Sequence, residues 1–133
     1  MRVAIVGMVF YCVAVQVTAQ HIKQVDSLLK LSEKYWTNNA DSSYFYANKA
    51  NNKAKFIRDK NLLARTRLAM ASSKLTQGAY TFSENTLRLN VLDSILVTDN
   101  ILADTYKYLG YILYYKKKYA ESSKAFLKAI PLS

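Results

Sequence analysis

At 133 residues the chain is one compact unit at most, and its net charge of +10, from 19 Lys and Arg against 9 Asp and Glu, favours acidic partners. A single cysteine and a single histidine exclude an intramolecular disulfide, a thiolate metal site and any catalytic centre built on several histidines. Three glycines and one proline leave little to interrupt helices.

The amino terminus reads as a targeting segment. Arg2 precedes residues 3–15, 13 positions without a charge, and Val17 and Ala19 set small residues at alternate positions ahead of Gln20. This order predicts a signal peptide over 1–19, removed on export to the periplasm or cell envelope of a bacterium. A membrane anchor is the competing reading, but 13 residues at about 1.5 Å each reach roughly 20 Å against a hydrocarbon core of about 30 Å. Bulky Phe10 and Tyr11 also precede Cys12, where a lipid-attachment cysteine would follow a small residue. The remaining domain, 20–133, holds 18 Lys and Arg against 9 Asp and Glu. Its cations are scattered over several helices, so no nucleic acid partner is expected, and the membrane is met only through export.

Beyond the leader no segment alternates apolar and polar residues as a half-buried strand would, so the fold class reads as all-α. Helices are predicted at 22–37, 42–56, 60–76, 82–96, 100–117 and 120–130, with turn and capping residues between them. Asp41 or Ser42 is placed to cap the second helix, and Asp99 or Asn100 the fifth. Six helices make three hairpins.

The phrase NLLART at 61–66 returns as NILADT at 100–105, a period of 39 residues. The register persists: Ala71 answers to Gly110, Tyr80 to Tyr119, Ser83 to Ser122 and Leu87 to Phe126. Periods of this length mean stacked helical hairpins, here at about 22–57, 60–98 and 99–131. In the last of them Tyr106, Leu109, Gly110 and Leu113 fall on one buried stripe. Glycine inside a helix costs about 1 kcal/mol against alanine, so Gly110 is expected to admit a closely approaching neighbour. Tyr119, Ser122, Phe126 and Ala129 form the facing stripe.

The run LGYILYYKKKYAESSKAFLKAI at 109–130 resembles the tetratricopeptide repeat, which packs a hairpin through Leu and a small residue on one helix against Tyr, a small residue, an aromatic and Ala on the other. Leu109, Gly110, Tyr119, Ser122, Phe126 and Ala129 match that pattern. The second repeat keeps it through Met70, Ala71, Gly78, Tyr80, Ser83 and Leu87, with Arg67 and Asn90 standing where a bulky apolar residue and Ala are usual. The first fits through Leu28, Leu31, Ser32 and Tyr35, then Ser43, Ala47 and Ala50, with a turn one residue shorter. The family period is usually 34 residues, and elongated repeats in an exported chain are similar to the amino-terminal regions of Bacteroidetes histidine kinases and helix-turn-helix regulators.

The resemblance implies a right-handed α-solenoid of about three repeats whose first helices line a concave, partner-binding face. That face should carry Asp26, Leu29, Glu33 and Trp36 in the first repeat, Arg65, Leu68, Ser72 and Leu75 in the second, and Asp104, Lys107, Tyr111 and Tyr114 in the third. The asparagines of the carboxylate clamp found in chaperone-binding members are replaced by Ser72 and Tyr111.

No residue set points to catalysis, a cofactor or a metal. His21 lies at the expected mature end, and Asp93, Asp99 and Asp104 lack the every-second-residue spacing of a calcium loop. Lys116, Lys117 and Lys118 sit where cations offset the dipole of the fifth helix. Two readings of function follow. One is an exported interaction scaffold for a protein or peptide, acidic by charge complementarity. The other is the sensory front of a signal-transduction protein whose membrane span and output domain lie outside this sequence. Leu127 and Ile130 are expected to leave the last helix without a cover, inviting self-association.

Overall fold

The structure is a computed structural model that describes the backbone of residues 2–133 and the side chains of residues 6–133. Six helices follow one another: α1 (Arg2–Tyr35), α2 (Ala40–Ala54), α3 (Lys60–Thr76), α4 (Tyr80–Leu92), α5 (Asp99–Tyr115) and α6 (Tyr119–Ala129). Short 3-10 turns at Ser94–Leu96 and Ile130–Leu132 follow α4 and α6, and no strand occurs among the described residues. The chain is an all-α stack of three hairpins.

Each helix packs on the next, and the first helices of successive hairpins also touch, α1 on α3 and α3 on α5. The second helices barely meet one another. The stack therefore curves with α1, α3 and α5 on its inner side. Three apolar clusters hold it, one of them Ala64, Val97, Ile101 and Leu102 between the second and third hairpins. Ala71, Leu87, Leu109, Ile112, Leu113 and Ala125 join the second and third hairpins, and Val25, Ala50, Ala54 and Leu62 join the first to the second. Full burial of side chains such as Leu87 and Ile112 contributes about 1.5–3 kcal/mol each.

Two polar columns set the register inside that apolar frame. Within each hairpin a buried serine of the second helix donates to a carbonyl of the first: Ser43 to Ser32 at 2.8 Å, Ser83 to Ala71 at 2.9 Å and Ser122 to Gly110 at 2.7 Å. Between hairpins, Asn51 donates to the Thr66 hydroxyl at 2.9 Å, and Asn90 to the Thr105 hydroxyl at 3.3 Å. Asn51, rather than Ala50, is thus the counterpart of Asn90. The difference is one extra residue in α2 between Ser43 and this position.

Several helix ends differ from expectation. α1 is continuous from Arg2, because nothing between residues 16 and 24 breaks a helix; residues 6–19 are exposed and Ile22 is the first to pack into a core cluster. Asn39, not Asp41 or Ser42, caps α2, its Oδ1 accepting from the Ser42 amide at 3.0 Å. Neither Asp99 nor Asn100 caps α5. The residue at that cap is Thr98, whose amide donates to Asn61 Oδ1 at 3.0 Å and ties the third hairpin to the second. α4 stops at Leu92, where Asp93 is held by Arg67 at 2.8 Å and Lys60 at 3.5 Å.

The predicted repeat positions are mostly in the interior. Met70, Ala71, Leu109, Gly110 and Ser122 are buried, while Tyr80, Phe126 and Ala129 are half-buried. Tyr119 is exposed, because α6 begins at this residue and its ring turns outward, 5.5 Å from Tyr114. Ala125 takes the buried place beside Ser122. A Cβ on Gly110 would stand 2.6 Å from the Phe126 ring, so a side chain rather than a helix backbone fills the space the glycine leaves. Past α6, Leu132 folds back on Val97, Ile101 and Leu102, while Leu127 and Ile130 stay exposed.

Candidate functional site

The inner side of the stack encloses a groove of about 600 Å³ that touches all three hairpins. The 39-residue period builds it, because residues one period apart fall on the same face of successive first helices. Asp26, Arg65 and Asp104 form one such column, Leu29, Leu68 and Lys107 a second, and Glu33, Ser72 and Tyr111 a third.

Of the residues singled out in the sequence, Leu29, Glu33, Trp36, Arg65, Leu68, Ser72 and Asp104 line the groove. Trp36 follows the last turn of α1, and its indole N–H lies 3.4 Å from the Ser72 carbonyl, closing one end. Arg65 reaches Asp26 at 3.0 Å, which leads into a smaller cavity of about 390 Å³ shared with Leu29, Lys30 and Glu33. Lys107 stands beside the groove, paired with Asp104 at 2.7 Å and 5.2 Å from the Tyr108 ring centroid. Its hydrogen bond to Asp104 raises the Lys107 pKa, burial opposing. Burial likewise pushes the Tyr108 phenol up. Both remain in their ordinary neutral-pH forms.

Tyr111 and Tyr114 are not brought into the groove. Tyr111 meets Phe126 edge-on at 5.2 Å, and Tyr114 meets Tyr115 and Tyr119 at 5.9 and 5.5 Å. They belong to an aromatic cluster around the end of α5, where Tyr80 also stacks on Tyr115 at 5.4 Å. Leu75 packs against the core. Conversely, Asn61, Thr98, Asn100 and Tyr108 line the groove, although the family resemblance does not place them on the concave face. The repeated phrase carried part of that signal, since Asn61 and Asn100 are its first letters.

The chemistry on offer is recognition. Apolar Leu29, Leu68 and Ile101 lie beside a guanidinium, two carboxylates and several amides and hydroxyls. Among the described residues no cluster of His, Cys, Asp and Glu converges to hold a metal. The lysine run is partly engaged elsewhere: Lys116 donates to Glu84 at 2.6 Å, and Arg88 binds the same carboxylate at 2.7 Å. Burial pushes the Glu84 pKa up, but the hydrogen bonds from Lys116 and Arg88 outweigh it and hold the group below its ordinary value. Among the described residues no helix is long and apolar enough to cross a membrane.

A protein-family model described as the SusR N-terminal TPR domain matches residues 14–129. No curated protein and no solved structure matches the chain. The match spans all three hairpins, whose packing residues are those of tetratricopeptide repeats, and the chain belongs to the family of SusR N-terminal TPR domains.

Proposed function

We propose that the chain is an exported, non-catalytic scaffold whose groove binds a protein or peptide segment. The observation that carries the reading is a groove spanning three hairpins in which apolar side chains alternate with fixed charges, as an extended partner requires. The +9 charge of residues 20–133 favours an acidic segment. Residues 1–19 serve as the signal peptide and 20–133 as the binding domain. Exposed Leu127 and Ile130 supply a self-association surface.

Photo-crosslinking in the native host tests the groove. A crosslinker at Ser72 or Tyr108 should capture a protein that one at exposed Lys124 does not; equal capture from both faces, or none from the groove, overturns the reading. Intact mass of the exported species tests the leader, since retention of residues 1–19 would make it an anchor.

A second reading has its own support. The matching family is described as an amino-terminal domain, which favours the chain being the sensory region of a longer signal-transduction protein. A downstream reading frame with a membrane span and a kinase or DNA-binding domain would select it.

A further inference from the structure

The two edges of the stack differ in kind. The turns within hairpins lie at one edge, with Trp36 and most of the aromatic pairs. At the other lie the connections between hairpins, α2 to α3 and α4 to α5, together with the 3-10 turn after α6. Four bulky apolar side chains project from those connections: Phe56 is 89% exposed, Leu92 80%, Ile95 96% and Leu96 60%. Side chains of this size so exposed, at two neighbouring connections, leave apolar surface in water.

The cations stand among them. Lys55 and Arg58 flank Phe56 and make no ion pair among the described residues, and Lys53 and Lys60 extend the run. The acids at this edge are largely engaged: Asp59 accepts from the Leu62 amide at 3.0 Å, and Asp93 is held by Arg67 and Lys60. Asp99 at the start of α5 is the exception.

α1 also leaves the stack here. Ile22 packs against the cluster of Val25, Ala50, Ala54 and Leu62, and the uncharged residues before it run outward as an exposed helix. Among the described residues that helix is not long and apolar enough to cross a bilayer. Projecting apolar turns and unpaired cations on one side are the elements of an interfacial membrane contact.

We propose that this edge rests on an anionic lipid bilayer, with Phe56, Ile95 and Leu96 entering the headgroup region and Lys55 and Arg58 facing lipid phosphates. The groove then lies upright, with Trp36 held farthest from the lipid. The contact stands on the connections between hairpins, and so does not depend on whether residues 1–19 are retained or on what the groove binds.

The native Trp36, the sole tryptophan, gives the test its internal control. In the full chain, Phe56→Trp and Ile95→Trp are each made with Trp36→Phe, and folding is checked by circular dichroism. All three proteins are mixed with phosphatidylcholine vesicles, with and without phosphatidylglycerol, bearing brominated acyl chains. The expected result is a blue shift and quenching at positions 56 and 95 with phosphatidylglycerol, little quenching at Trp36, and weak quenching everywhere without it. Lys55→Glu with Arg58→Glu should lower partitioning on the order of thirtyfold or more, since each cation lost near an anionic surface forfeits roughly fivefold. Equal quenching at 36 and 95, no quenching at 56 and 95, or quenching indifferent to phosphatidylglycerol would each overturn the proposal. The first two outcomes hold even if the leader alone tethers the chain.

Discussion

Asn90 donates its side-chain amide to Thr105 across the boundary between the second and third hairpins, both residues fully buried, and Asn51 does the same to Thr66 one boundary earlier. Asn90 also donates to the Ala64 carbonyl at 3.0 Å, while its Oδ1 meets no donor among the described residues. The residue is therefore both a tie and a cost. Asn90→Ala alone should change stability by less than about 1 kcal/mol, because the unpaired oxygen leaves with the bond. A double-mutant cycle with Thr105→Ala should still give a coupling of about 0.5–1.5 kcal/mol in urea denaturation. Strict additivity would mean that the bond is not made in solution.

Acid should loosen the stack in a defined window. Glu84 and Asp93 both titrate below their ordinary values of 4.5 and 3.8, Glu84 because Lys116 and Arg88 outweigh its burial, Asp93 mainly through its hydrogen bond from Arg67. A depressed carboxylate contributes stability that is complete above its unfolded pKa and is lost as pH falls through the folded one. Glu84→Gln should cost about 1.5–3 kcal/mol at neutral pH, the range for a hydrogen bond to a charged group, and the gap to the parent should close below about pH 4. Denaturation midpoints from pH 7 to 3 check this, and a constant gap would refute it.

Gly110→Leu should destabilise the third hairpin by about 1–3 kcal/mol, since the Phe126 ring occupies the space any side chain would need. Adding Phe126→Ala should restore part of the loss. An unchanged denaturation midpoint in the single variant would show the ring free to move aside.

Gly78 and Lys117 close α3 and α5 at equivalent positions with φ of 76° and 63°. Only the first has a residue suited to the left-handed region. Lys117→Gly should therefore stabilise the chain by about 0.5–1 kcal/mol, the strain released exceeding the entropy glycine adds to the unfolded state. Thermal melts of the two proteins decide it; a lower melting temperature would count against the argument.

The helices and their period were legible because turn residues punctuate the chain and the repeated phrase sets a phase. That same phase brought Arg65, Leu68, Ser72 and Asp104 onto one face. It misjudges the end of α5, where the tyrosines find one another and Phe126, since a ring's partner depends on rotamers that spacing does not encode. Asn90 read as a departure from the repeat pattern. Its use appears only when Thr105, 15 residues on, is seen opposite it, and the extra residue in α2 hid the parallel with Asn51. Asn39 does not stand out as a cap in the sequence because Asp41 and Ser42 are equally good capping residues.

The first and third hairpins share no substantial contact, yet the groove borrows side chains from both. In an array joined only through neighbours, cooperativity is limited by the weakest boundary, and the terminal hairpin is free to fray while the rest holds. An occupant lying along the groove would be stabilised only when all three hairpins are in place, and so would add a link between the ends that the chain itself lacks. Unfolding of the unliganded chain should spread over a broad transition that sharpens on binding, so the occupant would govern whether this chain behaves as three units or as one.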